Sequence, residues 1–431
     1  MRNIQSVRGM NDLLPDQMAV WHRVEAVLRE VSEKYGYQEI RTPMVEKTAL
    51  FTQSIGDQTD IVEKEMYTFV DAGEESLTLR PESTASTVRA CIQHGLIHNR
   101  QIRLWYMGPM FRRERPQRGR YRQFHQFGVE ALGWPGPDID SEIIRIGERI
   151  WKELGIQGLT LEINTLGSER SRTAYRQALS GFLTEKKDYL DEVSLRRVHT
   201  NPLRVLDSKN PQVQAILQDA PVLQDFMETD EQEHFESWCN SLEQSGISYR
   251  INPRLVRGLD YYSGTVFEWI TDRLGAQSAV CAGGRYDKLI ANRGGKDTPA
   301  IGFAVGLERL MELVMLQSEK VETQPIHAYM IDLTDSSDVT TRIAEKLRND
   351  GLNVIEHCGE GKLKNQLKKA DQSGAILALI RGQDEAESGV VQLKHLRESK
   401  PHSNVPVEEV GGQCVKNLID YIDQEKIHNK S

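Results

Sequence analysis

Phe111-Arg112-Arg113-Glu114-Arg115-Pro116-Gln117-Arg118-Gly119-Arg120-Tyr121-Arg122-Gln123-Phe124 joins two stretches of strand character, 102–112 and 122–132. Pro116 and Gly119 punctuate the polar loop Arg113–Tyr121, so the whole predicts a long β-hairpin. Alternation puts Arg112 and Glu114 on one face, and Gln126, Gly128 and Glu130 on one face of the partner strand. An open antiparallel face with guanidiniums, a carboxylate and aromatic rings can grip phosphates and stack a base. The same pattern also describes a salt-bridged solvent face, and the hairpin alone does not separate the two.

The hairpin stands out against the rest of the chain. The 431 residues carry a formal net charge of -9, yet residues 100–122 hold eight arginines against one acid. That segment is therefore +7, leaving -16 elsewhere. Trp105, Tyr106, Phe111, Tyr121, Phe124 and Phe127 are interleaved with the arginines, which a plain charge run would lack. Residues 219–236 carry seven acids and no Lys or Arg, and read as a solvated face. With 27% charged and 39% hydrophobic residues the composition is that of a soluble globular protein of two to four domains. The most apolar run, Ile301–Met315, is broken by Glu308, Arg309 and Glu312, so no membrane span is expected. The N-terminus lacks the apolar core of a signal peptide. Five scattered cysteines without a C-x-x-C pair fit reduced thiols in a cytoplasmic protein and argue against a zinc site or a disulfide framework.

Outward from the hairpin, the apolar stripe Trp21, Val24, Leu28 and Val31 predicts a helix over about 15–35, with Pro15 in its first turn and Gly36 as its stop. Tyr37–Arg41 reads as extended and runs into Pro43. Helices near 139–154 and 168–182 lead into a mostly helical stretch to about 245. Strands return at Val266–Thr271, Ser278–Ala282 and Ala300–Val305, the last passing into a helix at Gly306–Leu316. After a polar linker, Ser318–Gln324, strands at 327–332, 352–356 and 375–381 alternate with helices at 338–350 and 362–373. That alternation predicts a small α/β domain with a largely parallel sheet.

Familiar phosphate motifs are absent. Gly359-Glu360-Gly361-Lys362 lacks the first glycine of a P-loop, and no G-x-G-x-x-G, H-E-x-x-H or G-x-S-x-G occurs. Three further segments gather chemistry. Leu79-Arg80-Pro81-Glu82-Ser83-Thr84 sets a carboxylate and two hydroxyls at a strand-to-helix turn, an arrangement that alone is more often a helix cap. Leu255–Tyr262 concentrates Arg257, Asp260, Tyr261 and Tyr262. Ala300–Arg309 has small residues where a ligand could approach, then an arginine in the first helical turn.

Taken together these residues resemble the class II aminoacyl-tRNA synthetases, and among them the histidyl-tRNA synthetases. The first class motif resembles residues 15–43, ending at Pro43. The second, F-R-x-E, a loop, then R-x-x-x-F, is met by Phe111, Arg112, Glu114, Arg120 and Phe124. The third resembles Gly302 to Arg309, with three residues between the glycines where the motif has one. Two histidine-specific segments resemble Leu255–Tyr262 and Ala282–Asp287. The likeness spans nearly the whole chain, and its implied fold is an α+β catalytic core with an antiparallel sheet flanked by helices, a helical insertion and a C-terminal α/β anticodon-binding-like domain. The implied boundaries are 1–167 and 248–324 for the core, 168–247 for the insertion and 325–431 for the anticodon-binding domain.

The resemblance implies ATP-dependent activation of L-histidine to histidyl-adenylate and its transfer to tRNA(His), by a cytoplasmic homodimer using Mg²⁺ bound with ATP and no resident metal. Arg112, Arg257 and Arg309 would be catalytic. Arg112 and Arg257 would flank the α-phosphate, Glu114 would hold the adenine side, Phe124 and Arg309 would sandwich the ring, and Arg120 would reach the β/γ-phosphates. Histidine would be bound by Glu82, Ser83, Thr84, Arg112, Gln126, Glu130, Arg257, Tyr261 and Tyr262. Ser83 stands where many relatives carry glycine. Gln117 and Arg118 at the loop tip, and Lys362 and Lys368 in an acid-free run of four lysines, would contact tRNA. Two other readings compete. A synthetase-like regulatory subunit of ATP phosphoribosyltransferase shares the core without aminoacylating, but typically lacks the domain after 325. A generic RNA-binding protein would explain the basic hairpin but not the order of the other motifs.

Overall fold

The computed structural model describes residues 4–56, 59–117, 119–274, 279–317, 325–335 and 337–428. Arg118 and the linker expected at Ser318–Gln324 lie outside the described residues. The chain divides into two compact units, Met1–Val321 and Glu322–Ser431.

The strands of the first unit are β1 (Gln38–Glu39), β2 (Val45–Lys47), β3 (Tyr67–Val70), β4 (Ser76–Leu79), β5 (Ile102–Phe111), β6 (Gln123–Leu132), β7 (Thr160–Thr165), β8 (Arg250–Ile251), β9 (Thr265–Ile270), β10 (Ala279–Arg285) and β11 (Ala300–Gly306). Eight of them form one sheet in the order β1-β5-β6-β11-β10-β9-β7-β8, and the others form a small sheet β2-β4-β3. The large sheet is antiparallel through its middle, but β1 runs parallel to β5 and β8 parallel to β7, so it is mixed rather than purely antiparallel. Each of these two end strands is only two residues long, too short to show any alternation.

The hairpin pairs in unbroken register from Ile102↔Leu132 to Phe111↔Gln123. Its alternation divides the sheet into two faces. Trp105, Phe127, Val129, Phe267, Trp269, Phe303 and Val305 point to one side, all at most 2% exposed. Helices Pro15–Lys34, Pro137–Glu153 and Leu307–Gln317 cover that face, completing the main core. Each fully buried Phe or Ile there contributes about 1.5–3 kcal/mol. Gly147 lets the middle helix sit on the sheet, since a Cβ would meet the Trp269 indole at 2.4 Å. The opposite face, from Gln126 to Glu130 and across to Gly302, is left for chemistry.

Residues 169–226 form a helical lobe with its own apolar cluster around Leu179, Leu183, Val205 and Val213. The following helix, Thr229–Gln244, leaves that cluster and buries Phe235, Trp238 and Leu242 in the main core.

The second unit holds β12 (Ala328–Asp332), β13 (Val354–Glu356), β14 (Leu377–Arg381), β15 (Val390–His395) and β16 (Ser403–Pro406), in the order β13-β12-β14-β15-β16. The first three are parallel, as the alternation with helices Asp338–Asn349 and Leu363–Gln372 predicts. After β14 the chain returns without a long crossover, and β15 and β16 add antiparallel. The sheet is thus mixed rather than largely parallel.

Candidate active site

The free face of the large sheet floors a cavity of about 320 Å³. Along β6, the side chains of Gln126 and Glu130 face it; Glu130 pairs with Gly302 and Gln126 with Gly306 across the ladder to β11. Glycine at 302 is required, because a Cβ there would lie 1.9 Å from Glu130 Oε2. Glu130 is 1% exposed. Thr84 donates its hydroxyl to Glu130 Oε1 at 2.6 Å, and the Tyr286 phenol donates to Oε2. Burial dominates over these two bonds and pushes the Glu130 carboxyl up to about 8. Beside it, Gln126 is buried with its Oε1 lacking a hydrogen-bond partner among the described residues. An orphaned buried acceptor facing a cavity is what a ligand donor would satisfy.

Glu82 faces the same cavity as a backbone anchor: its two oxygens accept from the amides of Thr84 (2.6 Å) and Ala85 (3.0 Å). The cap of helix Thr84–Gln93 is therefore the carboxylate one residue ahead of Ser83, whose own side chain makes no capping bond. Burial raises the Glu82 pKa against the opposing pull of those amides. Tyr261 and Tyr262 lie against each other with ring centroids 4.7 Å apart and planes tilted by 39°, and Tyr261 meets Tyr286 edge-on at 5.7 Å. These rings close the end of the cavity near Glu130.

The other end is cationic. Arg112 leaves the hairpin just past β5 and donates from Nε to the Pro81 carbonyl at 2.8 Å, with its guanidinium carbon 5.3 Å from the Phe124 ring centre. Arg120 pairs with Glu114 at 2.9 Å. Arg257 pairs with Glu268 of β9, and its guanidinium stands 5.5 Å from the Tyr262 ring centre. Burial raises the Glu268 pKa, with Arg257 pulling it back down. Arg309 enters from the first turn of helix Leu307–Gln317; burial, then Arg120, lowers its pKa. Gly119 (φ 68) brings the hairpin loop against that arginine, where a Cβ would be 3.1 Å from Arg309 Cγ.

Of the expected site residues, Glu82, Thr84, Arg112, Glu114, Arg120, Phe124, Gln126, Glu130, Arg257, Tyr261, Tyr262 and Arg309 line this one cavity. Ser83 does not; it is fully buried with its hydroxyl 3.3 Å from that of Thr42. Gln117 lies outside the cavity lining and closes a tight turn with Arg120 through mutual backbone bonds of 3.1 and 2.9 Å. Lys362 and Lys368 belong to the second unit, Lys362 as N-cap of helix Leu363–Gln372 and Lys368 in a groove with Lys364 and Lys394. Among the described residues no group of three or more His, Cys, Asp or Glu is placed to hold a metal ion. Nor, among them, is any helix long and apolar enough to cross a membrane.

Sequence reasoning missed Tyr286, Glu268 and Glu308. Tyr286 lies within Ala282–Asp287, but nothing local distinguishes it from a core tyrosine. Glu268 alternates with the buried Phe267 and Trp269, and a charged residue at an inward position of a strand was the available signal. Glu308 Oε1 and Oε2 accept from the His125 amide at 2.9 and 3.0 Å, with the imidazole Nδ1 also 3.0 Å from Oε1.

Comparison with known proteins gives the family and the fold. The family model described as histidyl-tRNA synthetase matches residues 9–310, and the anticodon binding domain model matches 322–417. The apo histidyl-tRNA synthetase of S. aureus is 33% identical, with a TM-score of 0.79 over 95% of this chain and 99% of that one. At 21% identity the histidyl-tRNA synthetase of Nostoc sp. shares the fold, with a TM-score of 0.67 over 96% of this chain and 100% of that one. So does a Bacillus halodurans protein described as an ATP phosphoribosyltransferase regulatory subunit/histidyl-tRNA synthetase, 21% identical with a TM-score of 0.66 over 89% and 99%. A mixed sheet flanked by helices, followed by a separate anticodon-binding domain, is the class II architecture. With its catalytic model matched over most of the chain, the protein belongs to the histidyl-tRNA synthetase family.

Proposed function

We propose that the protein is a histidine–tRNA ligase, which joins L-histidine and ATP to histidyl-adenylate and pyrophosphate and then moves the histidyl group to the 3′ end of tRNA(His). ATP would arrive as its Mg²⁺ complex, and the enzyme would work as a homodimer in the cytoplasm. One observation carries this reading: a single cavity holds a small polar end built on Glu130 and a cationic end built on Arg112, Arg257 and Arg309. The first fits an imidazole, the second a polyphosphate. A carboxylate oxygen of histidine forms a bond to the α-phosphorus, the bond to the β-bridging oxygen breaks, and pyrophosphate leaves. Charge concentrates where two anions meet, so fixed guanidiniums lower the barrier by electrostatics and positioning. No protein nucleophile is needed. In the second step a terminal ribose hydroxyl attacks the histidyl carbonyl and AMP leaves.

Selectivity follows from burial. A histidine analogue without ring N–H groups would leave the Gln126 acceptor unpaired in a desolvated site, a defect worth roughly 10⁴–10⁵ in discrimination. Met44, Val45, Phe69 and Val70, on or beside the small sheet, are exposed apolar groups that a second copy would cover. The arginines at 112, 257 and 309 and the unit after residue 322 favour the ligase over a regulatory subunit.

Histidine-dependent exchange between pyrophosphate and ATP, with Mg²⁺ present, tests the reading. Purified protein is expected to catalyse it, and Arg257→Ala to lower it by about 10²–10³ without changing the sedimentation of the protein. Absence of exchange, together with tight binding to a phosphoribosyltransferase, would establish the regulatory alternative instead.

A further inference from the structure

Arg257, Tyr261 and Tyr262 lie on the loop 252–264 between β8 and β9, and much of what anchors that loop comes from the helical lobe. Arg204, in the short turn Pro202–Val205, donates from Nη2 to the Asp260 carboxylate at 2.9 Å, and the same nitrogen is 3.5 Å from the Gly258 carbonyl. Arg172, on helix Glu169–Glu185, donates from Nη1 to the Tyr262 carbonyl at 3.1 Å. Its other nitrogens go to the carbonyls of Leu166 and Gly167, both at 3.3 Å. Gln224 orients Asn164 at 2.9 Å, and Asn164 in turn donates to the Leu255 carbonyl at 3.0 Å. Arg254 donates to Gln218 at 2.8 Å, and Val256 packs on the lobe's apolar cluster. The loop thus finds partners for the Gly258 and Tyr262 carbonyls in side chains of the lobe, where a strand would use its ladder.

We infer that the helical lobe 169–226 is the positioning element of the amino-acid site, with Arg172 and Arg204 as positioning residues that set where Arg257, Tyr261 and Tyr262 stand. The inference deepens the proposed function and rests on it for its kinetic half. Neither arginine is among the residues that line the substrate cavity. Each acts through the loop. A loop held by several dispersed side-chain bonds loosens in steps as they are removed, whereas a paired strand opens with its whole sheet.

The test uses the full chain with Arg204→Ala, Arg204→Lys, Asp260→Asn and the double variant Arg204→Ala/Asp260→Asn. Amide hydrogen exchange, measured without substrates, is expected to speed up about fivefold across 255–264 in Arg204→Ala and to stay unchanged in β5 and β6. In pyrophosphate exchange the histidine KM should rise about fivefold while the ATP KM stays within about twofold, and Arg204→Lys should recover part of the loss. Adding Asp260→Asn to Arg204→Ala should change little, because the two share one contact. Unchanged exchange over 255–264, equal shifts of both KM values, or additive effects would overturn the inference. Should Arg204→Ala not fold, Asp260→Asn weakens the same contact by removing its negative charge, and the same readouts are expected to move in the same direction. If wild-type protein shows no histidine-dependent exchange, the proposed function fails, while the amide measurement still decides whether the lobe positions the loop.

Discussion

Glu130 shows how one side chain can report on its surroundings. It is buried between the hydroxyls of Thr84 and Tyr286, and its pKa stands at about 8 against an ordinary 4.5. Between those values the folded state holds a proton that the unfolded chain has lost. Stability from the neutral group is therefore fully present below the ordinary value and drains away as pH rises through about 8. Glu130→Gln removes the titration, so its Tm relative to wild type should climb from near zero at pH 5.5 to about 5 °C above at pH 8.5. A difference that stays flat across that window would contradict burial as the cause. Strand alternation alone marked Glu130 and Gln126 as partners on one face. It could not mark Tyr286, whose phenol arrives from 156 residues away. Gly302 was legible only as a small residue; what requires glycine is Glu130, whose Oε2 would lie 1.9 Å from a Cβ at that position.

Among elements, the hairpin was legible because two runs of strand character, which pair over ten residues each, flank a polar loop punctuated by Pro116 and Gly119. Helix Leu307–Gln317 was equally legible, but not how it is held. Its first-turn Glu308 ties it to β6 through the His125 amide and ring, and Arg309 follows directly on that turn. Removing the tie should let the first turn fray and Arg309 wander. Glu308→Ala is thus expected to raise the ATP KM about tenfold in pyrophosphate exchange and to leave the histidine KM nearly unchanged. Equal effects on both substrates would mean that the whole site has collapsed. The two-residue strands β1 and β8 carry no periodic signal, and their parallel pairing rests on long-range packing.

Taken whole, the molecule separates its charges. The acidic average conceals a hairpin segment at +7 and a second-unit groove lined by Lys364, Lys368 and Lys394. A polyanion would be drawn to those surfaces and repelled elsewhere. Replacing both Lys364 and Lys368 with alanine should weaken tRNA binding and flatten its salt dependence by about one to two in log–log slope. Pyrophosphate exchange, which involves no tRNA, should be unaffected. An unchanged salt slope would remove this groove from the RNA path.

Local patterning specified the hairpin, the longer helices, the strand–helix alternation up to β14 and the order of the chemically loaded segments, because periodicity depends on neighbours a few residues apart, while β2, β3, β7, β15 and β16 went unread. It also carried most of the cavity's cast, from Glu82 to Arg309. Folding settled which polar groups share the cavity, which cation takes which carboxylate, and what holds the loop bearing Arg257. Those outcomes depend on ladder register and on side chains meeting across long stretches of chain, as when Arg204 reaches Asp260. Burial then gave Glu130 its raised pKa, a property of the enclosed site that no short segment possesses.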